Sequence, residues 1–310
     1  MRVLVTGATT PLGRALVRRL LDDAAIEHVL EVGAEPGVAD APRRTYQRVD
    51  LARPRAVHDL LHGPASALAI DAVVHAALHR RATDEGRAVH ARNVEAVRGL
   101  LRACSEVASI RRFVFVSSAA VYALHSAAPC LLDEDAAHEL DPRAPQWIRD
   151  RVEADLTVCA RMGLERFGVV VLRLAEILAE GTGSQLWDYL RSRVCLRPAG
   201  FDPMLNLLSL DDAADAIVLA LRGQRSGVYN VAGADTLPLT TLIARARRRA
   251  VPVPGPLLAP LYALRRAAHG DLDFRYDVNR SRLHLGGTVD DGRARRELGY
   301  RPGHPLRFDA

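Results

Sequence analysis

Short runs of β-branched and apolar residues alternate with longer segments of helical periodicity from the first residue onward. "RVLVT" (2–6) reads as a buried strand, and "PLGRALVRRLLDD" (11–23) has helical spacing of apolar residues behind a Pro that opens the helix. "HVLEV" (28–32) and "TYQRVD" (45–50) continue as strands, with a helix expected from about Arg53. "DAVVHAA" (71–77) is a fourth strand, followed by a long helix through "GRAVHARNVEAVRGLLRACSEV". "RRFVFVSS" (111–118) and "FGVVVLRL" (167–174) are a fifth and a sixth, on either side of a helix that holds "PQWIRDRVEAD" (145–155). This alternation predicts an α/β fold, a doubly wound parallel sheet covered by helices on both faces.

After Leu174 the rhythm changes. Residues 176–204 are irregular, with Gly181, Gly183, Pro198, Gly200 and Pro203. "MLNLLSL" (204–210), "DDAADAIVLALR" (211–222) and "GVYNVAG" (227–233) read as a return to the main sheet. The expected division is a main doubly wound unit from 1–175 and 205–235, with a smaller, discontinuous lobe from 176–204 and 236–310. The Pro-punctuated apolar stretch 251–270 is expected to pack that lobe; capping a lipophilic ligand or touching a membrane surface are the alternatives.

Composition narrows the class. Of 310 residues, 49% are apolar and 25% charged, as in an ordinary soluble protein. No apolar run reaches transmembrane length, and "MRVLVTGATT" turns too early for a signal peptide, so a cytoplasmic protein is expected. Cys104, Cys130, Cys159 and Cys195 lack metal-ligand spacing, so they are expected to be reduced thiols, and no metal is expected. The net charge is +5, yet all 42 basic residues are Arg. They are spread beside Asp and Glu, which points to a solvated surface and away from a nucleic-acid groove. The absence of Lys excludes any Lys-dependent chemistry.

"TGATTPLG" (6–13) lies between the first strand and the first helix, where helix N-terminal amides favour a pyrophosphate. Gly7 and Gly13 fit such a turn, while Thr10 stands where a third Gly is expected. With "VDL" (49–51), "NVEAVRGLLRAC" (93–104), "RRFVFVSSAAVY" (111–122), "LSLDDAADAI" (208–217) and "RRELGYRP" (295–302) in order, the chain resembles an extended short-chain dehydrogenase/reductase, the NAD-dependent epimerase/dehydratase family, over essentially its whole length.

The resemblance implies NAD or NADP held by Gly7, Thr9, Thr10, Leu12 and Gly13, with Asp50 and Leu51 against the adenine. Ala76 and Ala77 would line the cofactor channel, and Asn93 would support the active-site loop. The acid expected near Gly33 to grip a ribose is missing, with Glu35 its nearest substitute. In the family a Tyr and a Lys, neighbours at i and i+4 on a helix, move the proton with the hydride, and a Ser holds the substrate oxygen. Here Ser118 and Tyr122 match "SSAAVY", but Trp147 stands for the Tyr and Arg151 for the Lys. An indole N–H donates only, and a guanidinium stays charged. Glu176 falls at an Asn-like substrate position, where its charge would disfavour an anionic ligand. His79 is a further substrate-side residue, and Tyr122, His79 and His125 are the candidates for a relocated acid.

The first expectation is a protein of this fold without the standard dyad, a ligand sensor, scaffold or partner subunit. An active epimerase, dehydratase or oxidoreductase on a nucleotide sugar or other hydroxyl or carbonyl substrate is the alternative. A homodimer through helices at 84–108 and 145–166 is a third expectation.

Overall fold

The structure, a computed structural model, describes residues 1–37, 39–269, 273–306 and 308. Positions 270–272 and 307, 309 and 310, which the sequence assigns to the smaller lobe, lie outside the described residues. Seven strands form the central sheet: β1 (Arg2–Thr6), β2 (His28–Gly33), β3 (Arg44–Arg48), β4 (Ala72–His75), β5 (Arg112–Ser118), β6 (Gly168–Leu174) and β7 (Gly227–Val231). Their order is β7-β6-β5-β4-β1-β2-β3, and every neighbouring pair is parallel. The chain reverses direction across the sheet between β1 and β4, so a crevice opens beyond their carboxyl ends, where such folds take ligands.

Alternation along each strand feeds two apolar layers. Val3 and Val5 point into one layer with α1 (Pro11–Asp22) and α4 (Leu210–Arg222). Leu4, Phe113 and Phe115 point into the other with α2 (Ala96–Glu106) and the Ala154 and Val158 side of α3 (Gln146–Cys159). Helix α1 docks by Leu12, Ala15, Leu16 and Leu20, spaced for one helix face. The long helix expected after β4 does form, but a π-helical turn at Ala91–Glu95 interrupts it, with Asn93 buried there.

The stretch 204–210 does not rejoin the main sheet as expected. Met204–Leu208 pairs antiparallel with Asp235–Pro238 and parallel with Glu176–Ile177. The exposed edge of β6 is already taken by β7, in register from Gly227 opposite Val170. Gly233 then rides against the Leu207 carbonyl, where a Cβ would come within 2.1 Å of the oxygen. The smaller lobe adds a parallel pair, Val194–Pro198 with Arg249–Val253, and helices α5 (Gly255–His269) and α6 (Tyr276–Leu285). Leu186, Tyr189, Leu205, Leu242, Leu258 and Tyr262 form its core. No helix among the described residues is long and apolar enough to cross a membrane.

One charged network lies inside the main unit. Arg173 on β6 is 2% exposed and donates to Asp155 of α3, at 2.8 and 3.1 Å to its two oxygens. It also donates to the Tyr122 hydroxyl at 3.0 Å and the Glu134 carbonyl at 2.9 Å. Ser117 of β5 donates to the same Asp155 carboxylate. Burial alone would raise Asp155, but bonds from His138, Arg173 and Ser117 bring it down to about 2. The pair therefore ties β5, β6, α3 and the 122–138 loop together. Removing one member strands the other's charge, so Asp155→Ala should cost about 3–5 kcal/mol. Urea unfolding should show a lower midpoint with an unchanged slope, and an Arg173→Met/Asp155→Leu double variant should recover part of the loss.

Candidate functional site

The turn after β1 is built on two glycines. Gly7 has φ +71°, and a Cβ there would meet the Ala76 carbonyl oxygen at 2.7 Å. A Cβ at Gly13 would lie 2.1 Å from the Gly7 oxygen, so α1 reaches its place only without a side chain. Thr10 has φ −75° and ψ 161°, open to any L-residue, and its hydroxyl accepts the Gly13 amide at 3.0 Å. The substitution for glycine costs the turn nothing and caps the helix, while occupying one of its first-turn amides.

Beyond the sheet's carboxyl edge the crevice divides into three spaces. An outer chamber of about 450 Å³ is lined by Gly7, Thr9, Gly33, Asp50, Leu51 and Ala77. An inner chamber of only about 120 Å³ lies against Leu12, Ala76, Ser118, Trp147, Arg151 and Glu176, with Thr10 shared by both. A cleft of about 330 Å³ between the two lobes is lined by Ser118, Tyr122, Trp147, Glu176, Asn279 and Arg282, among others. Glu35 edges the outer chamber with its side chain 65% exposed.

Arg80, just beyond β4, lines the outer and inner chambers and crosses between them. It donates to the Gly181 carbonyl at 2.5 Å, and its other terminal nitrogen lies 3.9 Å from Glu35. Gly183, at φ +78°, lies so close that a Cβ would be 2.5 Å from the Arg80 oxygen. No sequence motif marks this clasp; its one signal is positional, a basic pair in the loop that follows the strand bordering the crevice.

Ser118 and Trp147 meet at the partition between inner chamber and cleft. Ser118 accepts the Ala120 amide at 3.2 Å as a helix cap. Trp147 opens α3 and is 8% exposed, and its indole nitrogen is buried without a partner among the described residues. The Arg151 guanidinium stacks on the indole at 3.5 Å and donates to the carbonyls of Trp147 at 2.9 Å and His79 at 3.1 Å. Burial pulls Arg151 down to about 9, against Glu176 and Asp150, so it remains a cation at neutral pH.

The other expected residues lie apart from this partition. Tyr122 lines the cleft, but its hydroxyl donates to Asn230 at 2.7 Å and accepts from Arg173, and burial pushes it up to about 12. It is not a free acid. His79 faces the outer chamber and not the cleft, with its imidazole 2.8 Å from Asp84. His125 is exposed and lines none of the three spaces. Asn93, 1% exposed, accepts the His79 amide at 2.7 Å and donates to Asp150 at 3.1 Å, so it holds the loop after β4.

Glu176 behaves differently from expectation. Burial alone would raise it, but Arg282, Ser184 and the Leu186 amide bring it below its ordinary value. Its charge is spent within the protein and does not repel an anion from the cleft as an isolated carboxylate would.

A three-two-one-four strand order, a glycine turn at the crevice and a second lobe over it define a Rossmann protein of the short-chain dehydrogenase/reductase type. Residues 3–232 match the model of the NAD dependent epimerase/dehydratase family, and the chain belongs to that family. An uncharacterized protein of Mycobacterium tuberculosis is 32% identical over 97% of this chain and 80% of its own length. DesIV, a dTDP-glucose 4,6-dehydratase from Streptomyces venezuelae solved with NAD and TYD bound, is similar in fold. Its TM-score is 0.72 at 22% identity, over 99% of this chain and 93% of that one. UDP-glucuronic acid 4-epimerase from Bacillus cereus, solved with NAD, gives 0.71 at 17% identity over 98% and 94%.

Beneath the glycine turn, the Thr6 hydroxyl accepts the Ala76 amide at 3.2 Å and shares a 2.8 Å hydrogen bond with His75. His75 is fully buried against Phe115, and burial holds its pKa at about 4, below the ordinary 6.5. The unfolded chain therefore binds this proton first as pH falls. His75 should cost about 3 kcal/mol of stability between pH 6.5 and 4, with none of that loss above pH 7. Thermal melts across that window check it, and His75→Asn should flatten the His75 contribution.

Proposed function

We propose that the chain is a non-catalytic binder of a dinucleotide or related nucleotide, a sensor or partner subunit built on an oxidoreductase fold. The observation that carries this reading is the Trp147–Arg151 stack at the partition. An ionisable phenol and a tunable amine are what proton transfer alongside a hydride requires, and the stack offers neither. The nearest alternatives, Tyr122 and His79, are held by Asn230 with Arg173 and by Asp84. The glycine turn and the open outer chamber support retained binding of NAD or NADP through the adenosine end. The solved relatives of this fold with NAD bound support the same choice of ligand. Without a carboxylate at Gly33 or Ala34, the preference between the two nucleotides rests on Glu35 and Arg80.

A second reading is an active epimerase or dehydratase on a nucleotide sugar. It is favoured by Ser118, which lines both the inner chamber and the cleft. Calorimetric titration with NAD⁺, NADH, NADP⁺ and NADPH separates the cases. At least one should bind with a dissociation constant of about 1–100 μM. Binding should quench tryptophan fluorescence, and Trp147→Phe should remove most of the quench. No hydride transfer should appear with UDP-glucuronic acid or dTDP-glucose. Silence from all four nucleotides overturns retained binding, and turnover that survives Trp147→Phe overturns non-catalysis.

A further inference from the structure

The smaller lobe carries an apolar surface that its own core does not use. Helix α5 is anchored by Leu258 and Tyr262, both buried, with the Tyr262 hydroxyl on the Leu196 carbonyl at 2.9 Å. Leu257, Leu261 and Leu264 point the other way, at 52%, 38% and 67% exposure. Spacings of four and three residues put them on one stripe, with Pro260 and Ala268 beside them. Among the described residues, no charged one shares the helical positions of this stripe. Past the start of the helix the surface continues: Phe201, 43% exposed, packs edge-on against His284, which lies beside Gly255. Leu285 follows, also exposed.

The segments packed around this helix carry side-chain charge of one sign. Residues 189–201 and 236–270 contain nine arginines and no Asp or Glu. The fold gathers several of them at one end of α5. Arg265 donates to the Val194 carbonyl at 2.8 Å, and Arg249 sits opposite Val194 across the strand pair. The Arg249 amide bonds the Arg193 carbonyl at 3.0 Å, and Arg248 reaches the Leu190 carbonyl at 2.7 Å. Arg193, Arg247, Arg249 and Arg266 are exposed there. Of the acids that flank these segments in sequence, Asp235 is paired with Arg245.

We infer that this face of the smaller lobe docks on a membrane surface rich in anionic lipid. An exposed leucine stripe matches the boundary between headgroups and acyl chains, and the exposed Arg193, Arg247, Arg249 and Arg266 near one end of the helix match lipid phosphates. At 15 residues α5 lies along such a surface and does not span it. A nucleic acid would use the arginines and leave the leucines in water. The inference is independent of whether the site between the lobes performs chemistry.

Vesicle co-sedimentation of the full chain tests it. The protein should pellet with phosphatidylcholine vesicles containing about 30% phosphatidylglycerol and stay in solution with phosphatidylcholine alone. Raising the salt should weaken binding. Leu261→Glu/Leu264→Glu should reduce partitioning by about tenfold or more, with an unchanged melting temperature because both residues are exposed. Arg247→Gln/Arg249→Gln should reduce it as well. No binding to the anionic vesicles overturns the inference, as does undiminished binding by the leucine variant. A dimer in sedimentation velocity that the leucine variant abolishes would assign the face to a second copy of the chain. Binding of a short DNA duplex that needs the arginines but not the leucines would assign it to nucleic acid.

Discussion

The Arg173–Asp155 pair is the interaction on which the site's geometry rests. Both charges are removed from water, so each is tolerable only while the other is in place. Asp155 belongs to α3, whose first turn carries Trp147, and Ser117, bonded to the same carboxylate, precedes Ser118 on β5. Arg173 reaches Tyr122 and the backbone at Glu134, so the loop bordering the cleft is held by the same cation. The partition between inner chamber and cleft is thus positioned from behind by a pair that lines neither.

Much of this was legible in the chain. Strand and helix periods are local properties, and six parallel strands with flanking helices, joined by Gly227–Val231, follow from them. The glycines of the first turn were legible because a Cβ added at either would lie 2.1–2.7 Å from a backbone oxygen, which leaves no other residue possible. The misassigned segment, Met204–Leu208, is instructive. Its apolar pattern is that of a buried strand, but which sheet it joins depends on an edge already filled by a strand that comes later in sequence.

Site chemistry was less legible, because it depends on what the partner of each polar group is. Glu176 reads as a repulsive charge until Arg282 arrives from more than a hundred residues away. Tyr122 reads as a spare phenol until Asn230 and Arg173 claim its hydroxyl. Trp147 and Arg151 were legible as residue types, and the structure adds that they form one stacked unit, fixed to the loop after β4 through the His79 carbonyl.

The clasp between Arg80 and the Gly181–Gly183 loop joins parts of the chain that lie far apart in sequence, at the boundary of the outer and inner chambers. Arg80 holds the Gly181 carbonyl, and an added Cβ at Gly183 would lie 2.5 Å from the Arg80 oxygen, so the two loops stay this close only while position 183 has no side chain. A methyl group there would push apart the two loops that border the chambers.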